Sequence, residues 1–200
     1  MPKKIVTPPS LQYIEGKSSV LLLAPHAQMH KRPNLTSSYK QPEPWTDYIV
    51  RNLAELTKSS ALYSIADLEY DPAYHKIERN PFKQISADIV KNQNIKYVFD
   101  FHGLNDMHMF DLGVFYMRRF RNAKNVAYDF SREITHGKLN DVIISLFNFK
   151  DNDQETLVEY LVQNHRVTGL QIEIARYIRE DDVLRELFIK NFAKFINGLV

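Results

Sequence analysis

Two histidines stand where apolar runs give out. His26 comes two residues after "VLLLA", and His102 directly follows "YVFDF". A third anomaly is Glu173, set inside "GLQIEIA", where alternation sends Leu170, Ile172 and Ile174 to one face and Gln171 and Glu173 to the other. A carboxylate in so apolar a strand needs a cation or metal beside it, or a pKa raised toward neutrality. Both conditions suit a general base for hydrolysis next to a metal centre. The chain has no cysteine, so a metal here must be held by His, Asp or Glu. Two histidines leave a zinc-class ion one protein ligand short, and hydrolytic sites commonly supply a carboxylate and keep the last position open.

The acidic candidates for that third position are Glu43 and Asp47, in "QPEPWTDYIV". Asp47 is preferred, because the first turn of a helix holds its direction. His30 is not paired with His26, since the i, i+4 spacing needs a helix and "PHAQMHKRPN" is bracketed by prolines. Asp100, two residues before His102, either orients that imidazole or simply ends its strand in water. The bland reading of Glu173 is a pair with Arg176 or an exposed edge.

The elements that must position these groups read as alternating strands and helices. Strands are expected at 19–24, 61–67, 95–101, 112–117, 141–147 and 169–175. Thr46 is expected to cap a helix that buries Ile49, Leu53 and Leu56, and Asn80 with Pro81 to open another that buries Phe82, Ile85 and Ile89. Further helices are expected over 122–136, 153–163 and 180–198. Strands apolar on both faces and separated by helices imply an α/β protein, a largely parallel or mixed sheet between two helical layers. Ligands in such folds gather beyond the carboxyl ends of the strands, which is where His26 and His102 fall.

Length and composition fit one domain spanning residues 1–200. With 26 basic and 24 acidic residues the formal charge is +2, which argues against a nucleic-acid footprint. The densest basic tract, "MRRFRNAK", reads as a solvated face, and RNA association through it ranks last among the readings. The apolar run near the start is too short for a signal peptide and nothing approaches membrane-spanning length, so a cytoplasmic protein without a membrane partner is the expectation.

Taken in order, "APHAQ", "WTDYIV", "ERNPF", "FDFHG", "LGVFY" and "LQIEIARYI" resemble the N-formylglutamate amidohydrolase family, a branch of the zinc carboxypeptidase-like hydrolases. The likeness spans about residues 20–180. It implies a three-layer α/β/α fold, a divalent metal, zinc first, on His26, Asp47 and His102, and Glu173 as the catalytic carboxylate. It further implies that Arg79, with Asn80 beside it, and Arg176 contact an acidic amide substrate, an N-acyl amino acid of the N-formyl type or a small peptide-like amide. A guanidinium fork suits that planar carboxylate. Departures from the family pattern fall on substrate contacts: Gln28 stands for a glycine, Gly103 for a serine, "ERN" reverses an Asn-Arg order, and "FNFKDNDQ" replaces a Gly-Gly loop. The alternatives are a small zinc carboxypeptidase or cell-wall peptide hydrolase, and an inactive relative that binds a carboxylated metabolite.

Overall fold

A computed structural model describes residues 5–32, 39–118, 121–149 and 155–200. In chain order the strands are β1 (Leu11–Ile14), β2 (Val20–Ala24), β3 (His30–Lys31), β4 (Tyr39–Lys40), β5 (Ser60–Ser64), β6 (Tyr97–Leu104), β7 (Leu112–Tyr116), β8 (Ile144–Asn148) and β9 (Thr168–Ala175). The helices are α1 (Thr46–Thr57), α2 (Pro81–Asn92), α3 (Arg121–Ile134), α4 (Leu157–His165), α5 (Arg176–Glu180) and α6 (Asp182–Asn197). Among the described residues the main sheet has seven strands in the order β1-β5-β2-β6-β9-β7-β8. Strands β5, β2, β6 and β9 are mutually parallel. β7 runs antiparallel to β9 and carries β8 parallel to itself, and β1 is antiparallel to β5. The sheet is therefore mixed.

Apolar residues on both sheet faces drive a helical layer onto each. On one side Phe99, Phe101, Leu170, Ile172 and Val114 pack with Ile49, Leu53, Phe130 and Phe192 of α1, α3 and α6. On the other, Leu21, Leu23 and Val98 pack with Phe82, Ile89, Leu161 and Val162 of α2 and α4. That second face changes character along the strands: from Leu21 and Val98 it passes to Asp100, His102, Gln171 and Glu173 toward the carboxyl ends of β6 and β9. The polar groups so collected define a rim.

Several expectations are corrected. β6 does not stop at Phe101; it continues through His102 and Gly103 to Leu104, because β9 supplies a pairing partner at every step, His102 opposite Glu173 among them. α1 buries Ile49, Val50, Leu53, Ala54 and Thr57, a stripe that excludes Leu56, which is 57% exposed. Thr46 lies inside α1 rather than capping it; Trp45 takes the cap position in a left-handed conformation, φ 72°, and the Thr46 hydroxyl donates to the Glu43 carbonyl at 2.8 Å. Asn80 does cap α2, accepting from the Lys83 amide at 3.0 Å. β8 begins at Ile144, not at 141, and α4 at Leu157; the stretch 153–154 of the helix expected there lies outside the described residues, as do Arg119 and Phe120 of the basic tract. The helix expected over 180–198 is α6, with the short α5 before it and Asp181 between them capping α6 by accepting from the Leu184 amide at 2.9 Å. β1 was not expected, since four residues are too few to show an alternation. No helix among the described residues is long and apolar enough to cross a membrane.

Candidate metal centre and cleft

His26 leaves β2 on a short turn, His102 projects from β6, and Glu43 lies in the Pro-flanked segment "PEPW" just before α1. These three converge. Nδ1 of His26 is 3.1 Å from Nδ1 of His102, Glu43 Oε1 is 3.3 Å from the first ring and Oε2 3.3 Å from the second. The loop carrying Glu43 is tied down at several points. Its amide donates to the His26 carbonyl at 2.8 Å, its Oε2 accepts from the Gly103 amide at 3.0 Å, and Arg179 donates to the next carbonyl, that of Pro44.

Each imidazole is held from behind by a buried carboxylate. His26 Nε2 meets Asp71 Oδ1 at 3.0 Å, and His102 Nε2 lies 3.1 Å from Asp100 Oδ2, an ion-pair distance without the alignment of a hydrogen bond. Asp71 follows β5 in "YDPAY"; its Oδ1 also accepts from the amides of Ala73 and Tyr74, which fixes the loop. His30 stacks on His26 with centroids 3.9 Å apart, and the Arg32 Nε sits 3.4 Å from Asp71 Oδ2.

The buried carboxylates favour positive charge between the two imidazoles. Burial works against charge on His26, yet the Glu43 carboxylate and the contact to Asp71 prevail and push its pKa up to about 9. Burial likewise opposes charge on His102 but Asp100 and Glu43 hold its pKa well above the usual imidazole range. Burial would raise Glu43, and the two imidazoles overcome it and hold the carboxyl well below the ordinary carboxylate value. Two fully protonated rings, however, would aim N–H groups at each other across 3.1 Å. A single cation that accepts both ring lone pairs and the carboxylate satisfies the same field without that clash. Donors bound about 2.0–2.1 Å from a tetrahedral centre stand about 3.3 Å apart. The ring-to-ring spacing and the spacing of each ring to one Glu43 oxygen are of that size, and the carboxylates behind the rings are the usual outer partners of metal-bound histidines. The residues thus fit a zinc-class ion.

Glu173 faces the same rim. It pairs in register with His102 across β6 and β9, and Gln171 donates to its Oε1 at 2.8 Å. Burial pushes its pKa up, the neighbouring Glu43 charge adds to this, and the imidazoles offset it only in part. His26, Glu43, His102 and Glu173 all line one cleft of about 840 Å³, together with Arg32, Tyr74, Arg179 and a group of aromatic rings.

Other residues marked out by the sequence are placed elsewhere. Asp47 is on the α1 side of the sheet near Tyr63, outside the cluster of donors, because the first turn of α1 carries it past the rim. Arg79 is exposed on the 3-10 turn Ile77–Arg79 and is not among the residues lining the cleft. Asn80 is buried, and its Nδ2 donates to the carbonyls of Pro72 and His75 at 2.9 and 3.0 Å, shaping the loop that presents Asp71. Arg176 reaches the cleft mouth but pairs with Glu180 at 2.7 Å. Asp71 and Arg179 were missed. The rule that singled out His26 and His102 applies equally to the loop after β5, so Asp71 was within reach. Nothing local marks Arg179, which becomes buried only because Gly103 lacks a side chain: a Cβ there would lie 2.8 Å from the Arg179 guanidinium carbon.

No protein-family model matches the sequence, and no curated protein does. Solved structures do match in fold. A gene product of Agrobacterium tumefaciens superposes with a TM-score of 0.63 at 12% identity over 94% of this chain and 94% of that one. The CwlD amidase of Clostridioides difficile gives 0.56 at 13% identity, over 90% and 98%. The succinylglutamate desuccinylase of Chromobacterium violaceum gives 0.59 at 14% identity, over 96% of this chain and 67% of that one. The chain therefore shares the three-layer α/β fold of these structures.

Proposed function

We propose that this protein is a metal-dependent hydrolase of C–N amide bonds, acting on a small N-acyl amino acid or peptide-like amide in the manner of the N-formylglutamate amidohydrolases. The observation that carries the reading is the juxtaposition of His26, Glu43 and His102, at spacings of 3.1, 3.3 and 3.3 Å, with Glu173 on the next strand of the same rim. In this reading Glu43 replaces Asp47 as the third donor. A zinc-class ion held there supplies a Lewis acid for the scissile carbonyl and lowers the pKa of water. Glu173, with its raised pKa, takes a proton from the attacking water and returns it to the leaving nitrogen as the C–N bond breaks. Asp71 and Asp100 keep the Nδ1 edges of the two imidazoles turned to the centre. Arg179, buried beside Glu43, keeps the Pro44 carbonyl and hence the Glu43 loop in place.

Glu173→Gln tests this directly. The variant should retain its metal by elemental analysis and lose turnover by about a hundredfold or more. Near-normal rates would remove Glu173 from the reaction. Metal-loaded protein that binds carboxylated ligands and cleaves no amide would favour the inactive binder.

A further inference from the structure

The rim has two unlike flanks. On the side of β7 and β8, the rings of His108, Phe110 and Phe115 line the cleft, and Phe147 backs them: Phe115 stacks on it at 4.7 Å and Phe110 tilts against it at 5.2 Å. Phe110, Phe115 and Phe147 are only partly buried, so apolar ring surface is presented to the cleft. Gly113 brings this wall down to the catalytic candidate. A Cβ at Gly113 would meet Phe110 Cε2 at 2.9 Å and both Glu173 Cβ and Phe115 Cε2 at 3.3 Å. Its absence lets ring and carboxylate stem share one spot on the sheet.

On the other side, beside the loops after β2 and β5, Arg32 lies over the Tyr74 ring at 5.2 Å with its Nε toward Asp71. Strand order puts the donor cluster between these flanks, β2 and β6 bearing the histidines and β9 bearing Glu173. From β2 to β7 is three inter-strand steps of about 4.8 Å, roughly 14 Å. A formyl group would leave the aromatic side unfilled, and a cleft of about 840 Å³ is of the size that encloses a far larger ligand.

We propose that the substrate is an N-acyl amino acid with an aromatic acyl group, the acyl ring seated on Phe110 and Phe115 and the amino-acid carboxylate toward Arg32. This rests on the hydrolytic reading above and names its substrate class; the products are an aromatic carboxylic acid and the free amino acid. The orientation follows from chemistry: the carboxylate belongs to the leaving amino acid, and it is drawn to the cation rather than to a wall shared with Glu173.

Calorimetric titration of the full-length protein with N-benzoylglycine, N-acetylglycine and N-benzoylglycinamide tests it. N-benzoylglycine should bind about 10- to 100-fold more tightly than N-acetylglycine, the range expected when an apolar group gains a pocket. Removing the carboxylate should weaken binding at least about tenfold. Phe110→Ala should erase most of the benzoyl preference, and Phe115→Leu, which keeps the fold's apolar volume, should reduce it. Equal binding of the benzoyl and acetyl compounds, or a preference untouched by both variants, overturns the proposal. Hydrolysis by zinc-loaded protein, scored separately with N-formylglutamate included, isolates the two claims. Cleavage of all acyl groups at one rate refutes the aromatic preference and leaves the hydrolase; selective binding with no cleavage of any amide upholds the subsite and refutes the hydrolase.

Discussion

Asp71 offers the sharpest check on the metal centre, because it touches no proposed donor atom directly and yet should set the strength of binding. With His26 Nδ1 turned to the cluster, Nε2 carries the proton and donates to Asp71 Oδ1 at 3.0 Å. Asp71→Asn keeps an amide oxygen in that place, so the tautomer and the bonds from the Ala73 and Tyr74 amides survive, and what is lost is the charge. Charge-assisted hydrogen bonds contribute roughly 1.5–3 kcal/mol against about 0.5–1.5 for neutral ones, so the difference is about 1–1.5 kcal/mol, near tenfold in affinity. Asp71→Ala removes the acceptor as well and should reach the upper part of the 10–100-fold range typical of partners behind a ligand, about 2–3 kcal/mol. Arg32, 35% exposed, can turn to water in either variant and adds little. Competition for zinc against a chromophoric chelator gives the affinities without any need for turnover, and thermal melts of metal-free protein report separately on folding. A zinc affinity within twofold of the parent in Asp71→Ala would refute both the donor assignment of His26 and the role given to Asp71.

Asn80→Ala should lower stability by about 2–3 kcal/mol, since it removes a helix cap and the donor for two buried carbonyls, whereas Arg79→Ala should alter neither urea midpoint nor KM; a raised KM in Arg79→Ala would restore it to the substrate site. Gly103→Ala should cost about 1–3 kcal/mol and weaken zinc binding, because the new methyl would press on Arg179 and, at 3.1 Å, on Glu43 Cβ; unchanged zinc titrations would show that the Glu43 loop yields freely. Among the described residues the Tyr70 hydroxyl has no well-aligned hydrogen-bond partner, and burial, opposed in part by the Phe82 backbone, pushes its pKa up to about 12. Its folded value exceeds the unfolded one, so its contribution is present below about pH 10 and is lost as pH rises through about 12. Tyr70→Phe should therefore match or exceed the parent at pH 7 and lose less stability between pH 10 and 12 in urea melts.

How far these features could be read from the chain depends on the range of the interactions behind them. Alternation within "GLQIEIA" is local and puts Glu173 on its strand, while the apolar run "YVFDF" puts His102 just past a strand end, and together such runs suggest a layered α/β architecture. The choice between Glu43 and Asp47 is not local. Four residues apart, they differ in that Glu43 is fastened by the His26 carbonyl, the Gly103 amide and Arg179, contacts from distant segments that no spacing announces. The end of β6 was misjudged for the same reason, since its last residues are strand only because β9 lies alongside. Helical spacing groups Leu56 with Ile49 and Leu53, although the buried stripe of α1 is centred between Ile49 and Ala54 and leaves Leu56 exposed.

The reversal of direction at β7 divides responsibilities at the rim. His26, His102 and Glu173 sit on or just beyond the carboxyl ends of β2, β6 and β9, and Glu43 on the segment before α1, while the aromatic wall begins in the connection that feeds β7. Residues 105–110 lie outside β2, β6, β9 and the segment that carries Glu43. On the proposed hydrolytic reading, the reacting groups and the start of the aromatic wall are thus carried by separable pieces of chain, so the wall can be exchanged without disturbing them.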